Sequence, residues 1–460
     1  ERCSKIAADL HMAAAATEGA CASEAGEAGD GCRRGMGQPS RCPGRTLLRW
    51  AASRGIVLHP DLDYLASVEG DAGRGVRATA DVEEEELLCL IPLEACPGHE
   101  LWVEGSDGDG LPAFVRSLVG NRVLGCALLL LHERGLRGLS RYAAYIETLP
   151  DAFANLPFFG DDELLLLRGT SLDAHLQGGG VRPTSAARAL APETWRGAEE
   201  ACFHFQTSIK PMLDRRPDWW PDRSFDMFRW AVSVVLSRGA FCAGRGPFLV
   251  PFMDAFNHAS PGANHAQLEG DAAAGLAFVM RSIRNVRAGD EVLNTYGPLP
   301  SCALLSAFGF VPIEANPHDA VALRLAEPFA VGRRALAVLK DLRRALEQAS
   351  PRRQLSEARS GSAAGERQRK RHRRQRGRIR CESLASASPC ALRSALHAVR
   401  AAARRLVARW LPKLGSAASS ATRGGALKLR AVERRVLLRA AARLLGELRG
   451  RKLDESASKK

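Results

Sequence analysis

Large apolar side chains are scarce at the start of the chain and then organise abruptly. From Glu1 to about Gly44 the sequence is dominated by Ala, Gly, Glu and Ser, a composition that cannot offset the entropy of ordering a backbone. A disordered leader over residues 1–43 is therefore expected. At Thr46 the pattern changes: Leu47, Leu48, Trp50 and Ala51 read as a short amphipathic helix, and Gly55 leads into Ile56-Val57-Leu58. Two strand-like runs follow, Gly75 to Ala80 and Glu86 to Ile91, separated by the polar turn Asp81 to Glu85. A β-hairpin is the simplest account of them.

From about residue 100 to 239 the apolar period lengthens toward 3.6. Helices are expected over Leu111 to Arg134, Trp195 to Lys210 and Phe225 to Ser237. Strand signals then resume at Phe248-Leu249-Val250, Leu276 to Met280 and Glu291-Val292-Leu293, divided by turns rich in Gly, Asn and Asp. Beyond Pro328 the helical pattern returns, with Ala335 to Leu346 and Leu392 to Trp410 flanking a low-complexity stretch, residues 349–388, rich in Ser, Arg and Gln. The expected class is α+β: a β-fold over residues 44–325 with a helical insert at about 100–239, then a helical C-terminal domain over 326–460.

Charge changes this picture more than composition does. The formal net charge of +14 is unevenly spread: residues 351–460 carry 30 Lys and Arg against 7 Asp and Glu, whereas residues 1–350 carry 35 against 44. The acidic front repels phosphate and can steer a lysine-rich protein segment toward a cleft. The basic run Arg367 to Arg380 has no interleaved aromatic residues, so it reads as a solvated tail or an address, not as a nucleic-acid recognition surface. The 12 cysteines include no Cys-x-x-Cys pair and no cluster at zinc spacing, which speaks against a structural metal. Several lie in apolar runs, as free thiols do in a reducing compartment. The apolar run Leu124 to Leu131 ends at His132, far short of the roughly 20 residues a bilayer needs. No membrane association is expected. The nucleus or cytoplasm is the expected location, with the chloroplast left open because the chain begins at Glu1 rather than Met.

Three short segments carry candidate chemistry. Asp71-Ala72-Gly73-Arg74-Gly75-Val76 sets two glycines one residue apart before a strand, which permits close approach of backbone to a ligand, although taken alone such a pair more often marks a plain turn. Val250 to His258 ends an apolar strand in a proline and then supplies Asp254, Asn257 and His258. Polar groups at such a place need partners, either a capped turn or a ligand. Gly289 to Gly297 runs a strand into Tyr296, a residue that at a strand end is more usually core with an incidental hydroxyl partner.

Taken in order and with Ser237-Arg238 just upstream of the second, these segments resemble the SET-domain methyltransferases. The similarity is to the branch containing Rubisco large-subunit lysine methyltransferase and the ribosomal-protein lysine methyltransferases. It extends from about Leu47 to Leu325 through Ile91-Pro92, Leu128 to Glu133, Tyr145 to Pro150, Leu167 to Thr170 and Phe310-Val311-Pro312. In that branch a helical insert interrupts the SET domain and a helical domain follows, and Ala431 to Leu438 looks like the last helix of the latter.

The resemblance implies a protein-lysine N-methyltransferase using S-adenosyl-L-methionine. Ala72, Gly73 and Arg74 would touch the methionine part of the cofactor, Arg238 its carboxylate, and Asn257 and His258 its amino and adenine groups. Tyr296 would face the transferred methyl, and carbonyls near Ser237, Arg238 and Asp254 would line the channel for the acceptor amine. Phe308, at another cofactor position, departs from the family, which often has tyrosine there; the Asn common after the Tyr-Gly pair is also absent, Pro298 to Cys302 intervening. The implied partner is a protein presenting a lysine. A histidine acceptor on the same fold, or a silent SET-like binding protein, are the alternatives. Substrate, number of methyls and oligomeric state are not encoded in these patterns.

Overall fold

The computed structural model describes residues 43–68, 73–98, 115, 121–176, 189–242, 245–269, 277–312, 316–320, 395–396, 399 and 420–457. The expected leader to residue 42, Ala72, the helix Ala335 to Leu346 and the low-complexity stretch with its basic run lie outside the described residues, as does most of Leu392 to Trp410. In chain order the strands are β1 (Val57–Leu58), β2 (Leu62–Ser67), β3 (Arg74–Ala78), β4 (Leu87–Pro92), β5 (Gly239–Cys242), β6 (Arg245–Leu249), β7 (Ala266–Glu269) and β8 (Ala277–Ser282). The principal helices are α1 (Pro43–Ser53), α2 (Arg122–Leu136), α3 (Asp161–Leu166), α4 (Ser171–Leu176), α5 (Gly197–His204), α6 (Phe225–Arg238), α7 (Ser301–Phe308) and α8 (Ser420–Ala457). Two compact units result, the first of Glu1–Ala152, Ala189–Pro192 and Phe205–Tyr296, the second of Phe153–Arg188, Glu193–His204 and Gly297–Lys460.

In the first unit an antiparallel sheet of order β1-β4-β8-β7 is accompanied by two-stranded pairs β2-β3 and β5-β6. The expected hairpin between Gly75 to Ala80 and Glu86 to Ile91 does not form. Instead β3 pairs with β2, and β4 pairs with β1 and β8. Side-chain patterning gives the reason. Leu88, Cys89, Leu90 and Ile91 are all buried, so β4 suits a central position with a neighbour on each edge. β2 alternates, with Leu62, Tyr64 and Ala66 inward and Asp63 and Ser67 exposed, as a half-buried strand must. The expected strand Glu291 to Leu293 is likewise reduced to isolated bridges, Arg77 with Glu291 and, in parallel, His258 with Asn294.

α2 and α6 pack on each other. Each opens on a capping side chain: Asn121 Oδ1 accepts from Leu124 N at 2.9 Å, and Ser224 Oγ accepts from Met227 N at 3.3 Å. Leu128 and Leu130 on α2 and Phe228 and Val234 on α6 are fully buried, each contributing about 1.5–3 kcal/mol. The helix expected over Trp195 to Lys210 is broken: α5 ends at His204 and a π-helical turn, Phe205–Ile209, precedes a short helix Lys210–Leu213. Pro211 lacks the N–H that an α-helical ladder would require there, which widens the preceding turn.

In the second unit α8 organises its neighbours through one face. Thr422 Oγ1 donates to Glu163 Oε1 at 2.9 Å, while Ala426 and Leu429 join Leu166, Leu172 and Leu305 in a common core. Arg430 Nη1 donates at 2.8 Å to the carbonyls of Leu166 and Arg168, beyond which α3 has ended. Glu433 accepts from Ser171 N, the first amide of α4, at 2.9 and 3.0 Å. A cation thus serves the C-terminal end of one short helix and an anion the N-terminal end of the next, each matching the local dipole. Burial pushes the Glu433 carboxyl up to about 7.

Candidate active site

α6 delivers Ser237 and Arg238 at its C-terminal end, and β5-β6 returns the chain to a tight turn. Met253 N donates to Pro251 O at 2.7 Å around Phe252, whose φ is +63°. A three-residue turn with positive φ at a bulky residue is strained. Its ring, 4% exposed, sits edge-on to Tyr64 with centroids 5.7 Å apart, and that packing holds it in place. The strain is located where the chain must reverse to present Asp254.

Asp254 collects one buried and one half-buried group. Arg238 Nη1 donates to its carbonyl at 2.8 Å and to Oδ2 at 3.2 Å, and the Tyr145 hydroxyl donates to Oδ2 at 2.8 Å. Burial works against the Arg238 charge, but the adjacent Asp254 carboxylate outweighs it, so the guanidinium is held in its charged form. Arg238 Nε is buried without a hydrogen-bond acceptor among the described residues. The side chain is 26% exposed, and its accessible N–H edge fits a ligand carboxylate. Ser237 Oγ, by contrast, is committed to its own helix, donating to Ser233 O at 2.7 Å.

Three residues further on, Asn257 Nδ2 donates to Arg74 O at 2.9 Å and to Glu291 Oε1 at 2.7 Å. The amide therefore ties the start of β3 to the segment before Tyr296. Gly75 makes this junction possible: a Cβ there would lie 2.6 Å from Glu291 Oε1 and 2.8 Å from Asn257 Nδ2. Gly73 is different. Its φ is +71° and an added Cβ would meet nothing within 4 Å, so its backbone conformation, not crowding, favours glycine. The Arg74 guanidinium donates to the Thr148 carbonyl.

The last approach is made by Glu291 to Tyr296. Asn294 N donates to Asn257 O at 2.9 Å, Ala259 N to Asn294 O at 2.7 Å, and Val292 N to Val76 O at 2.7 Å. His258 Nδ1 accepts from Tyr296 N at 3.0 Å, with the two rings 5.0 Å apart. Neutral His258 accordingly carries its proton on Nε2. The Tyr296 hydroxyl donates to Phe256 O at 3.1 Å. Burial pushes this hydroxyl up to about 12, and Arg238, Asp254 and Glu291 are all near enough to act on it electrostatically.

The first unit thus forms separate hydrogen-bonded groups, Tyr145-Asp254-Arg238, Arg74-Asn257-Glu291 and His258-Tyr296-Phe256, with Arg238 and Tyr296 close enough to interact electrostatically, Gly73 next to Arg74 and Ser237 next to Arg238. Phe308 belongs to the second unit, at the end of α7, its ring 6.4 Å from that of Phe310. Sequence reasoning missed Glu291, the Phe256 carbonyl and the bond from Tyr145 to Asp254. The acid five residues before the tyrosine was visible, but nothing in the sequence paired it with Asn257. Among the described residues no group of three or more His, Cys, Asp or Glu could hold a metal, and no helix is long and apolar enough to cross a membrane.

The fold is that of a SET domain of the Rubisco large-subunit methyltransferase type. The chain superposes on a crystal structure of the SET domain of LSMT bound to lysine and AdoHcy with a TM-score of 0.55, at 18% identity, covering 89% of this chain and 92% of that one. Rubisco LSMT bound to AdoMet matches with a TM-score of 0.53 at 18% identity, over 88% and 92% of the two chains. In sequence the chain is similar to SET-domain methyltransferases. N-lysine methyltransferase setd6 of Danio rerio is 26% identical over 314 residues, which is 62% of this chain and 61% of that protein. The actin-histidine N-methyltransferase of Homo sapiens is 26% identical over 301 residues, 61% of this chain and 44% of that protein. The chain spans about half of the length of these curated relatives, and no family profile matches it.

Proposed function

We propose that this protein is an S-adenosylmethionine-dependent protein-lysine N-methyltransferase whose catalytic residue is Tyr296. The observation that carries the reading is the Tyr296 hydroxyl: half-buried, donating to Phe256 O at 3.1 Å, and held by His258 through its own main-chain N–H. With its proton directed to a carbonyl, the phenol oxygen keeps its lone pairs for weak CH···O contacts from a methyl group. The cofactor supplies a methyl on a sulfonium, which leaves as a neutral thioether when an amine lone pair attacks in line.

Alignment is then the main task of the protein, because displacement at a sulfonium needs no acid. Arg238, anchored on Asp254, would hold the cofactor carboxylate; Gly73 and Arg74, with Ala72, would approach its methionine part; and Asn257 and His258 would hold its amino and adenine ends. Carbonyls near Ser237 and Asp254 would orient the acceptor amine. A lysine near its ordinary pKa of about 10.4 is protonated at neutral pH, and a desolvated channel lowers that value and frees the lone pair. The partner is a protein presenting a lysine, and the assigned compartment is the nucleus or cytoplasm.

A histidine acceptor is the second reading, favoured by the similarity to the actin-histidine enzyme. Incubating the protein with methyl-labelled S-adenosylmethionine and cell extract, then locating the label by mass spectrometry, decides between them. Label on lysine supports the proposal, label on histidine supports the second reading, and cofactor binding without any transfer marks a silent SET-like binding protein.

A further inference from the structure

We infer that Tyr145 is a positioning residue of this site, acting through the Asp254 carboxylate on Arg238 and thereby on the carboxylate end of the cofactor; the inference rests on the function proposed above. Tyr145 lies on the short helix Ala143–Ile146, remote in sequence from the residues that surround the proposed reaction, and is 2% exposed. A buried phenol must place its hydroxyl on an acceptor. Tyr145 places it on Asp254 Oδ2 at 2.8 Å, the same oxygen that Arg238 Nη1 approaches at 3.2 Å. The Asp254 side chain is 8% exposed, so water is a poor substitute for either donor.

The two donors do different things. Arg238 Nη1 also bonds the Asp254 main chain at 2.8 Å, so the guanidinium straddles the carbonyl and the carboxylate of one residue. That arrangement fixes the guanidinium plane only if the carboxylate is itself fixed, and its backbone support is the strained turn at Phe252. The tyrosine supplies the missing constraint from a separate helix. With Nη1 held, the exposed part of the guanidinium, whose side chain is 26% exposed, is left for a ligand carboxylate. Tyr145 does not exchange a proton in this scheme: burial first, then the adjacent Asp254, pushes its hydroxyl well above the ordinary phenol range.

A purely structural tyrosine would affect every ligand alike, whereas the inferred one affects only ligands with a carboxylate. Tyr145→Phe keeps the ring and removes the hydroxyl. Binding of S-adenosylhomocysteine and of 5′-methylthioadenosine, which lacks the amino-acid end, is measured by calorimetry on the full chain. The expected result is an affinity for S-adenosylhomocysteine lowered about 5- to 20-fold, part of what a hydrogen bond to a charged group contributes, with methylthioadenosine affinity within twofold of wild type. Asp254→Asn should give the same selective loss, and the double variant should be no weaker than Asp254→Asn alone, because both act through one route. Equal weakening of both ligands, no weakening of either, or additive losses in the double variant would each overturn the inference. These readouts do not depend on turnover. A wild-type protein that binds S-adenosylhomocysteine but methylates nothing therefore defeats the proposed function while the selectivity result still judges Tyr145.

Discussion

Replacing Asn257 with Asp alters one functional group and reverses its hydrogen-bonding sense. The wild-type amide donates to Glu291 Oε1 at 2.7 Å and to Arg74 O at 2.9 Å; a carboxylate can donate to neither. Losing a bond to a charged acceptor costs about 1.5–3 kcal/mol and losing one to a carbonyl about 0.5–1.5 kcal/mol. Two carboxylates in hydrogen-bond range also repel until one takes up a proton, which raises the pKa of the pair. We expect Asn257→Asp to lower stability by about 3–5 kcal/mol at neutral pH. Glu291→Gln should restore much of this in the double variant, since its amide can donate to the new carboxylate, leaving only Arg74 O without its donor. Urea denaturation of wild type, both single variants and the double variant gives the coupling directly. A coupling of about 2 kcal/mol or more, favouring the double variant, is expected from a pair in contact. A cycle that closes within about 0.5 kcal/mol would mean the two side chains act independently, and the junction between β3 and the segment before Tyr296 would need another explanation.

Further outcomes follow from the same geometry. Tyr296→Phe should leave S-adenosylhomocysteine affinity within about twofold while lowering kcat about 100-fold or changing the number of methyls added, because misaligned reacting groups lose rate rather than binding; equal losses in both quantities would contradict the assigned role. Glu433 is raised to about 7 from 4.5, so it binds its proton more tightly when folded, and the stability this contributes is full below pH 4.5 and lost as pH rises through 7. Glu433→Gln should remove that slope, about 3 kcal/mol across the window, in urea titrations compared at pH 4.5 and pH 8; parallel pH dependences of the two proteins would refute it.

Among the described residues α6 was the most legible element, matching the expected Phe225 to Ser237, whereas α2 begins at Arg122, well inside the expected Leu111 to Arg134. α2 and α6 show both the 3.6 period and a capping residue, Asn121 or Ser224, at the position a helix start requires. Strand pairing was not legible, because a strand's partner is chosen by burial elsewhere: β4 joined β8, almost 200 residues downstream, instead of its neighbour β3. β2 carried a readable alternation in Leu62, Tyr64 and Ala66 that the sequence reading passed over. At the site, the resemblance named residues one at a time, and what it could not supply were the bonds between them. Tyr145 meets Asp254 across 109 positions and Asn257 meets Glu291 across 34. Neither pairing has a local sequence signature, and both are made by main-chain reversals such as the turn at Phe252.

The protonation state of Tyr296 carries a consequence for the pH dependence of the reaction. A hydroxyl pushed up to about 12 by burial stays protonated throughout the range in which the protein can be assayed, so it contributes no rising limb and cannot serve as a base. The only proton that must depart before transfer is the one on the acceptor nitrogen. For free substrate the rise in kcat/KM with pH then reports the acceptor: near 10.4 for a lysine, near 6.5 for a histidine. A lysine enzyme should gain about tenfold in kcat/KM per pH unit from pH 7 to 9, and a histidine enzyme should have levelled off by about pH 7.5. Peptides carrying a single lysine or a single histidine, assayed with labelled cofactor over this range, separate the two. A limb with a lysine peptide that moves when Tyr296 is replaced by Phe would show that the phenol does titrate with the reaction, and the alignment role assigned to it would fail.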